Sequence, residues 1–221
     1  MKSQFFSKKY ALVVANGDCP SGWVFKQIVD NSDVIVAADG GGNTLARREV
    51  IPDVILGDMD SVRPAVLSQF EKAAVKIINY ESQQENDLEK SIRYLMDEGY
   101  QNIVLTGIQG NRLDHSFAAL ELLKKYKTGA NLYIITDYFE IFLIRPGNHT
   151  ILTEPMAVFS IFGFNRGYNI STANLKYPLK NENLFEGSRG VSNLSQTDKV
   201  SISFTKGNLL IFRSLRGNGT D

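Results

Sequence analysis

The sequence predicts a parallel α/β domain followed by an all-β sandwich domain. In the first part of the chain, short apolar runs alternate with amphipathic segments, which is the βα rhythm of a parallel sheet. After about residue 138 the helical segments stop, and short β-prone runs separated by turns are typical of a small sandwich or barrel. The boundary falls within 136–148, and we assign residues 1–140 to the first domain and 141–221 to the second.

The elements of the first domain follow from its apolar periodicity. Short apolar runs bounded by polar turn residues predict strands at 10–15, 33–38, 53–56, 75–78, 102–106 and 130–135. Amphipathic segments between them predict helices at 22–31, 43–49, 63–73, 86–98 and 113–127. In the last helix, the spacing of four apolar residues predicts that one side faces the core, and they are Leu113, Phe117, Leu120 and Leu123.

The second domain is predicted to consist of strands alone. Its β-prone runs lie at 138–144, 150–152, 157–162, 167–172, 200–204 and 209–212. Residues 145–148 and 206–208 are predicted turns because they are rich in Gly, Asn and Pro or Lys. The strict alternation of 200–204 predicts an antiparallel strand with one buried face.

Composition excludes several classes of protein. With 43% hydrophobic and 22% charged residues, the sequence is that of an ordinary soluble domain. The formal net charge is zero, so nothing favours nucleic acid or an anionic membrane as a partner. Cys19 is the only cysteine, which excludes an intrachain disulfide and suits a reducing compartment. No apolar run approaches the ~18 residues that a membrane span needs, so we expect a cytoplasmic protein.

Carboxylates recur where predicted strands of the first domain end. Asp58 and Asp60 follow the third strand at i and i+2, so along an extended chain both would face one cation. Three further acidic residues follow the other strands, and they are Asp39, Asp87 and Asp114. Because ligands bind at the carboxyl ends of strands in open α/β sheets, this edge is the predicted functional site.

The residue types at this edge favour magnesium and a nucleotide. Mg²⁺ prefers carboxylates together with water and substrate phosphates, whereas zinc is disfavoured because the only histidines are His115 and His149. The glycine run 40–42 lets backbone approach a phosphate chain at a helix N-terminus. Lys90 and Arg112 supply cations for phosphoryl-type transfer. There is no P-loop motif, and the glycine run does not satisfy G-x-G-x-x-G, so nicotinamide binding is disfavoured.

Several motifs together resemble those of the thiamine pyrophosphokinase family. Segments 39–43, 57–61, 86–90 and 110–115 match in order and spacing, as do the later segments 175–179 and 191–193. The resemblance covers nearly the whole chain. It implies a Rossmann-like parallel α/β domain, a C-terminal β-sandwich, and a homodimer with thiamine bound between subunits. It also implies that Mg²⁺-ATP donates its pyrophosphoryl group to the thiamine hydroxyl in one step, with release of AMP.

The resemblance also implies roles for individual residues. Asp58, Asp60 and Asp87 are the implied metal ligands, and together with Arg112 and Asp114 they form the implied catalytic set. The residues implied to bind ATP or thiamine are Asp39, Gly40, Gly41, Asn43, Asn86, Lys90, Ser192 and Asn193. The chain departs from the family pattern at Asn86, where Thr is usual, and at Met59, where Phe is usual.

Two other functions are compatible with the same residues. The first is a Mg²⁺-dependent kinase or nucleotidyl transferase acting on another small alcohol. The second is a sensor that binds thiamine or a nucleotide without turnover. The concentration of carboxylates and the presence of Arg112 weigh against a sensor, because binding alone does not need so many like charges in one place.

Overall fold

The first six strands of the chain pair in parallel. In the computed structural model, which describes residues 9–80 and 84–217, they are β1 Ala11–Val14, β2 Val34–Ala38, β3 Val54–Gly57, β4 Lys76–Asn79, β5 Asn102–Thr106 and β6 Asn131–Ile135. Their order across the sheet is β4-β3-β2-β1-β5-β6. Every residue of β1 is buried, as expected for a central strand covered on both faces.

Five helices connect these strands. They are α1 Gly22–Asp30, α2 Gly41–Arg47, α3 Pro64–Lys72, α4 Asp87–Asp97 and α5 Leu113–Lys125. Each predicted strand and helix of this part of the chain is present, with ends shifted by a few residues. The boundary between two compact units falls between Asp137 and Tyr138, so that Lys9–Asp137 forms one of them. Within the described ranges, no helix is long and apolar enough to cross a membrane.

The strand order creates a crevice at the carboxyl edge of the sheet. From β1 the chain runs outward through β2, β3 and β4, and then returns to place β5 on the other side of β1. The loops that follow β1 and β5 are hydrogen-bonded to each other: Gly17 N–H donates to Gly107 O at 2.7 Å, and Asp18 N–H donates to Gln109 O at 2.7 Å. A reversal of strand order of this kind is where open α/β sheets bind ligands.

The predicted core face of α5 is wrong in its first two turns. Leu113 is 79% exposed and Phe117 is 60% exposed, whereas the buried residues of the helix are Ala119, Leu122 and Leu123. The helix begins in the loop beyond the carboxyl end of β5, so its first turns lie past the sheet edge and only its later turns pack against the core. Apolar spacing alone does not tell where along a helix the packing begins.

The second unit consists of antiparallel strands, with no helix among its described residues. The strands are β7 Phe139–Ile144, β8 Gly147–Leu152, β9 Ala157–Ala173, β10 Glu182–Leu184, β11 Asn193–Leu194, β12 Lys199–Phe204 and β13 Lys206–Gly217. β13 pairs with β7 and β9, and β12 pairs with β8 and β9. The short strands β10 and β11 pair with β9. Buried side chains such as Phe159, Ile202 and Ile211 form one apolar cluster.

Two predictions for this unit were wrong. The runs 157–162 and 167–172 were expected to be separate strands, but β9 continues through them over 17 residues. Asn165 and Arg166 have φ values of 71° and 64°, and β13 pairs with β9 on both sides of them, at Gly163 and Gly167, with a shift of register between. The predicted turn at 206–208 is the start of β13, where a Cβ on Gly207 would lie 1.7 Å from the carbonyl oxygen of Arg166. Strands β10 and β11 were not predicted, because three residues and two residues are too short to show a period.

Candidate active site

Three carboxylates converge at the carboxyl edge of the parallel sheet. Asp39 follows β2, Asp58 follows β3, and Asp87 begins α4; one oxygen of each lies within 4.8 Å of the other two. Gly57 makes this approach possible, because a Cβ at that position would lie 2.7 Å from Asp39 Cβ and 3.2 Å from Asp87 Cγ. We call Asp39, Asp58 and Asp87 the carboxylate cluster.

Asp39 is the most buried member of the carboxylate cluster. It is 4% exposed and has a left-handed backbone with φ of 40°. Its Oδ2 accepts the Ser61 N–H at 3.1 Å and its Oδ1 accepts the Val62 N–H at 3.2 Å. Burial raises the pKa of Asp39, the bonds from Ser61 and Val62 lower it, and the nearby charge of Asp87 raises it. The net pKa is raised, so a cation bound here would relieve the cost of the buried charge.

Lys90 lies next to Asp87 inside the protein. Its side chain is 4% exposed, and Nζ donates to Asp87 Oδ1 at 2.9 Å and to the Tyr80 carbonyl oxygen at 3.2 Å. Asn86 precedes them as the N-cap of α4, where its Oδ1 accepts the Glu89 N–H at 2.9 Å. The sequence placed Asn86, Asp87 and Lys90 in one site, and the structure brings them together on the first turn of one helix.

Asp60 does not join the carboxylate cluster. The chain turns at Met59, whose φ is 63°, so the side-to-side alternation of an extended chain ends before Asp60. Asp60 N–H donates to Asp58 Oδ1 at 3.3 Å, and its own exposed Oδ1 accepts the Ser61 hydroxyl at 2.8 Å. The extended backbone expected over 58–60 is therefore wrong, because Met59 has a left-handed conformation. A role for Asp60 in metal binding stays a prediction.

Asn43 and two glycines of the 40–42 run have packing roles. Asn43 Nδ2 donates to the Ser61 carbonyl oxygen at 2.9 Å, and its Oδ1 accepts the Arg63 N–H at 2.9 Å. These bonds attach α2 to the loop after β3. A Cβ on Gly41 would lie 1.9 Å from the Val14 carbonyl oxygen, and a Cβ on Gly40 would lie 2.3 Å from Asn16 Cγ. Glycine is therefore required at position 41, where the neighbouring atom belongs to the backbone, whereas a side chain at position 40 would require the Asn16 side chain to move.

A cavity of about 470 Å³ occupies the crevice between the loops after β1 and β5. Five of the residues predicted from the sequence line it, and they are Asp39, Gly40, Asn86, Asp87 and Arg112. Asp58, Asp60, Gly41, Asn43, Lys90 and Asp114 are not among the lining residues. Sequence reasoning missed several polar lining residues, and four of them lie in the loops after β1 and β5, namely Asn16, Asp18, Gln109 and Asn111. Their position in the sequence could have indicated them, because each follows β1 or β5, the two strands at which the strand order reverses.

Arg112 and Asp114 form an exposed ion pair at the start of α5. Arg112 Nε donates to Asp114 Oδ1 at 2.9 Å and Nη2 donates to Oδ2 at 2.7 Å, so the pair is bidentate. The hydrogen bond from Arg112 lowers the pKa of Asp114 to about 2. Arg112 lines the cavity, and a guanidinium has five N–H donors, so the ion pair leaves donors for an anionic ligand.

Ser192 and Asn193 lie in the second unit and differ in environment. Asn193 is 3% exposed; its Oδ1 accepts the Tyr177 N–H at 2.9 Å, and its Nδ2 donates to the Tyr177 carbonyl oxygen at 2.6 Å. Ser192 is exposed with φ of 56°, and its N–H donates to Ser160 Oγ at 3.0 Å. The amide of Asn193 therefore holds the backbone of Tyr177, whereas the side chain of Ser192 is at the surface.

The donors of the carboxylate cluster fit a magnesium ion. All three are hard carboxylate oxygens, and the cluster contains neither histidine nor cysteine. Lys90 offsets one of its three negative charges, which leaves an excess suited to a divalent cation. Asp39, Asp58 and Asp87 would hold the ion at the end of the cavity that Asp39 and Asp87 line.

The fold and site define an α/β protein with a candidate cation and phosphate site, joined to an all-β unit. A family model described as thiamin pyrophosphokinase, catalytic domain, matches residues 25–134, and a second, described as its vitamin B1 binding domain, matches residues 148–209. Together they span more than three quarters of the 221 residues. The chain belongs to the thiamine pyrophosphokinase family.

Individual relatives agree with this assignment. Thiamine pyrophosphokinase from Bacillus subtilis is 28% identical over 190 residues, covering 84% of this chain and 89% of the relative. Thiamine pyrophosphokinase 2 from Oryza sativa subsp. japonica is 29% identical over 224 residues, covering 89% and 83%. The crystal structure of the B. subtilis protein superposes with a TM-score of 0.83 at 25% identity, covering 94% of this chain and 99% of that one. Thiamin pyrophosphokinase from Candida albicans has the same fold, with a TM-score of 0.85, 18% identity, and coverage of 96% and 91%.

Proposed function

We propose that the protein transfers the pyrophosphoryl group of ATP to the hydroxyl of thiamine, giving thiamine diphosphate and AMP. The observation that carries the proposal is the carboxylate cluster, which lies beside a polar cavity in a chain of this family. Mg²⁺ bound to the carboxylate cluster would hold the phosphates of ATP near Asp39, Asp58 and Asp87. It would also neutralise part of the negative charge of the phosphates.

Different residues around the cavity would bind different parts of ATP. Arg112 presents a guanidinium at the rim, where it neutralises the phosphates and the charge that develops as the bond to the transferred group breaks. Asp114 holds this guanidinium by two hydrogen bonds and fixes its orientation. Asp18 has an exposed carboxylate that repels phosphate, so we place the ribose and base of ATP on its side of the cavity. The phosphates then point toward the carboxylate cluster.

We propose that thiamine binds at the surface formed by Ser192 and neighbouring residues of a second subunit, where the buried Asn193 holds the backbone of Tyr177. In this homodimer each active site would combine the α/β unit of one chain with the all-β unit of its partner. Leu113 and Phe117 support an interface near the site, because both are large, apolar and exposed at the start of α5.

We further propose a Rossmann-like fold for the first unit, a sandwich for the second, and a cytoplasmic location. A Rossmann-like architecture for Lys9–Asp137 is supported by its all-parallel strand order. A sandwich for the second unit is supported by the apolar cluster that its antiparallel strands share. A cytoplasmic location is supported by the presence of a single cysteine in the sequence.

The products of one reaction test the proposal. Protein, Mg²⁺-ATP and thiamine are incubated together, and the phosphorus-containing products are identified by ³¹P NMR and mass spectrometry. AMP and thiamine diphosphate are expected. ADP with thiamine monophosphate would instead indicate an ordinary kinase, and binding of both ligands without products would indicate a sensor.

A pair of variants links the activity to the site. Asp58→Asn should nearly abolish turnover, because it removes one charge of the carboxylate cluster. The matched control is Asp97→Asn, an exposed residue at the end of α4, which should keep wild-type activity. Equal activity of Asp58→Asn and the control at limiting Mg²⁺ would contradict the metal assignment.

A further inference from the structure

We propose that Lys90 is a positioning residue for the metal site, which holds the Asp87 carboxylate in the carboxylate cluster and does not contact the phosphates of the substrate. This inference rests on the metal site of the proposed function and assigns Lys90 a role other than the phosphate-binding one expected from the sequence. In this role Lys90 keeps Asp87 close to the other two carboxylates before a cation binds.

The ammonium group of Lys90 is hydrogen-bonded to other residues of the protein. Nζ donates to Asp87 Oδ1 at 2.9 Å and to the Tyr80 carbonyl oxygen at 3.2 Å. Tyr80 N–H in turn donates to the Gly57 carbonyl oxygen at 2.8 Å, at the point where β3 ends and Asp58 follows. Lys90 thus connects Asp87 on α4 to the ends of β3 and β4, and Asp58 follows the first of these strand ends.

The burial of Lys90 argues against contact with a substrate. Its side chain is 4% exposed, and it is not one of the residues that line the cavity, whereas Asp87 is. An ammonium group has three N–H donors, and two are already directed at protein oxygens. A phosphate bound in the cavity would meet Arg112 at the rim and the cation held by the carboxylate cluster, with Lys90 behind Asp87.

Asp87 differs from Asp39 in how its carboxylate is held among the described residues. Its side chain is 28% exposed, whereas Asp39 is held by two backbone N–H groups. Within residues 9–80 and 84–217, Lys90 is the only group that hydrogen-bonds to the Asp87 carboxylate. Asp39 and Asp58 both lie within 4.8 Å and repel it. Without Lys90, the Asp87 side chain would rotate toward water and leave the cluster with two ligands.

Binding of Mn²⁺ to the protein alone, measured by the EPR signal of free Mn²⁺, tests this role without ATP, thiamine or turnover. Lys90→Met, which keeps the length and removes the charge, should weaken Mn²⁺ binding by about 10- to 100-fold, the range for loss of a group that orients a metal ligand. A purely electrostatic effect has the opposite sign, because removing a positive charge beside the carboxylates would tighten binding. Mn²⁺ binding at wild-type strength or tighter in Lys90→Met would therefore overturn the proposal.

Further variants separate positioning from charge and from folding. Lys90→Gln also removes the charge but retains an N–H donor, so it should bind Mn²⁺ more tightly than Lys90→Met; equal affinities would contradict positioning. In an Asp87→Asn background, Lys90→Met should have little further effect, because Lys90 acts through Asp87. Lys26→Met is the matched control, since Lys26 pairs with Asp30 on the surface of α1, and its Mn²⁺ affinity should equal that of wild type.

The failure of this inference can be distinguished from failure of the proposed function. Wild-type protein that does not bind Mn²⁺ at all would overturn the metal site and the role of Lys90 with it. Wild-type binding with unchanged Lys90→Met would overturn only the role of Lys90. Mn²⁺ binding that follows the expected order, in a protein that forms neither AMP nor thiamine diphosphate, would support Lys90 and refute the pyrophosphoryl transfer.

Discussion

Replacing Asn193 with alanine should cost the second unit about 3 kcal/mol of folding free energy, because the buried amide makes three hydrogen bonds. Its Oδ1 accepts the N–H groups of Tyr177 and Leu194, each at 2.9 Å, and its Nδ2 donates to the Tyr177 carbonyl oxygen at 2.6 Å. A typical intramolecular bond contributes roughly 1 kcal/mol net, and the three sum to the figure above. The backbone groups of Tyr177 would also lose their partner in a place where Asn193 is 3% exposed.

Differential scanning calorimetry measures this cost. For a protein of this size, about 3 kcal/mol corresponds to a fall in Tm of roughly 6–12 °C. Asn148→Ala is the matched control, because Asn148 lies in the same unit on β8 and is exposed; its Tm should match that of wild type. Ser192→Ala should also leave Tm unchanged, because Ser192 is exposed.

The thiamine KM completes the comparison. Ser192→Ala should raise KM without a loss of stability, whereas Asn193→Ala should change both quantities, because freeing the backbone of Tyr177 alters the surface beside Ser192. A Tm for Asn193→Ala close to that of the Asn148→Ala control would refute the reasoning, since the three hydrogen bonds would then contribute almost nothing.

Arg112, Cys19 and the pairing of subunits give three further tests. Arg112→Lys should lower kcat by up to about 10³-fold, because an ammonium cannot reproduce the bidentate fork; steady-state kinetics check this, and a change confined to KM would make Arg112 a ground-state binding residue. Burial raises the pKa of Cys19 from 9.0 to about 11. At mildly alkaline pH the thiol should therefore react with a disulfide reagent roughly 100-fold more slowly in the folded than in the unfolded protein, because the thiolate is the reactive form. Equal reaction rates in the two states would contradict this expectation. Mixing Asp58→Asn with Asn193→Ala homodimers should recover at most about a quarter of wild-type activity if each site spans two chains, and an inactive mixture with proven heterodimers would place the site in one chain.

The sequence was sufficient to predict which edge of the sheet carries the carboxylates. Each strand of a parallel sheet ends at the same edge, so an acidic residue after β2, another after β3 and a third after β4 must lie near one another if the strands are adjacent. Asp39, Asp58 and Asp87 obey this rule, because β2, β3 and β4 are neighbours in the sheet. The alternation of apolar runs and helices was enough to predict a parallel sheet with these residues at one edge, whereas the order of the strands was not predicted.

The sequence was not sufficient to predict which carboxylates converge. Asp60 was expected beside Asp58 because residues i and i+2 share a side along an extended chain, but the chain is not extended after β3 ends at Gly57. The left-handed backbone of Met59 then redirects the chain, and no sequence rule requires a methionine to adopt it. Asp39 was predicted to line a substrate pocket, and its burial against the backbone of Ser61 and Val62 depends on a loop that is distant in the sequence.

At the glycines after β2, phosphate binding and helix packing both favour a residue without a Cβ. A phosphate chain needs backbone without a Cβ, and so does a helix that crosses closely over a strand. Gly40 lines the cavity, whereas Gly41 lies against the Val14 carbonyl oxygen and is not among the lining residues. Gly41 is therefore required for α2 to begin where it does. That position of α2 places Asn43 against the loop after β3, and the Ser61 and Val62 N–H groups of the same loop donate to Asp39 of the carboxylate cluster.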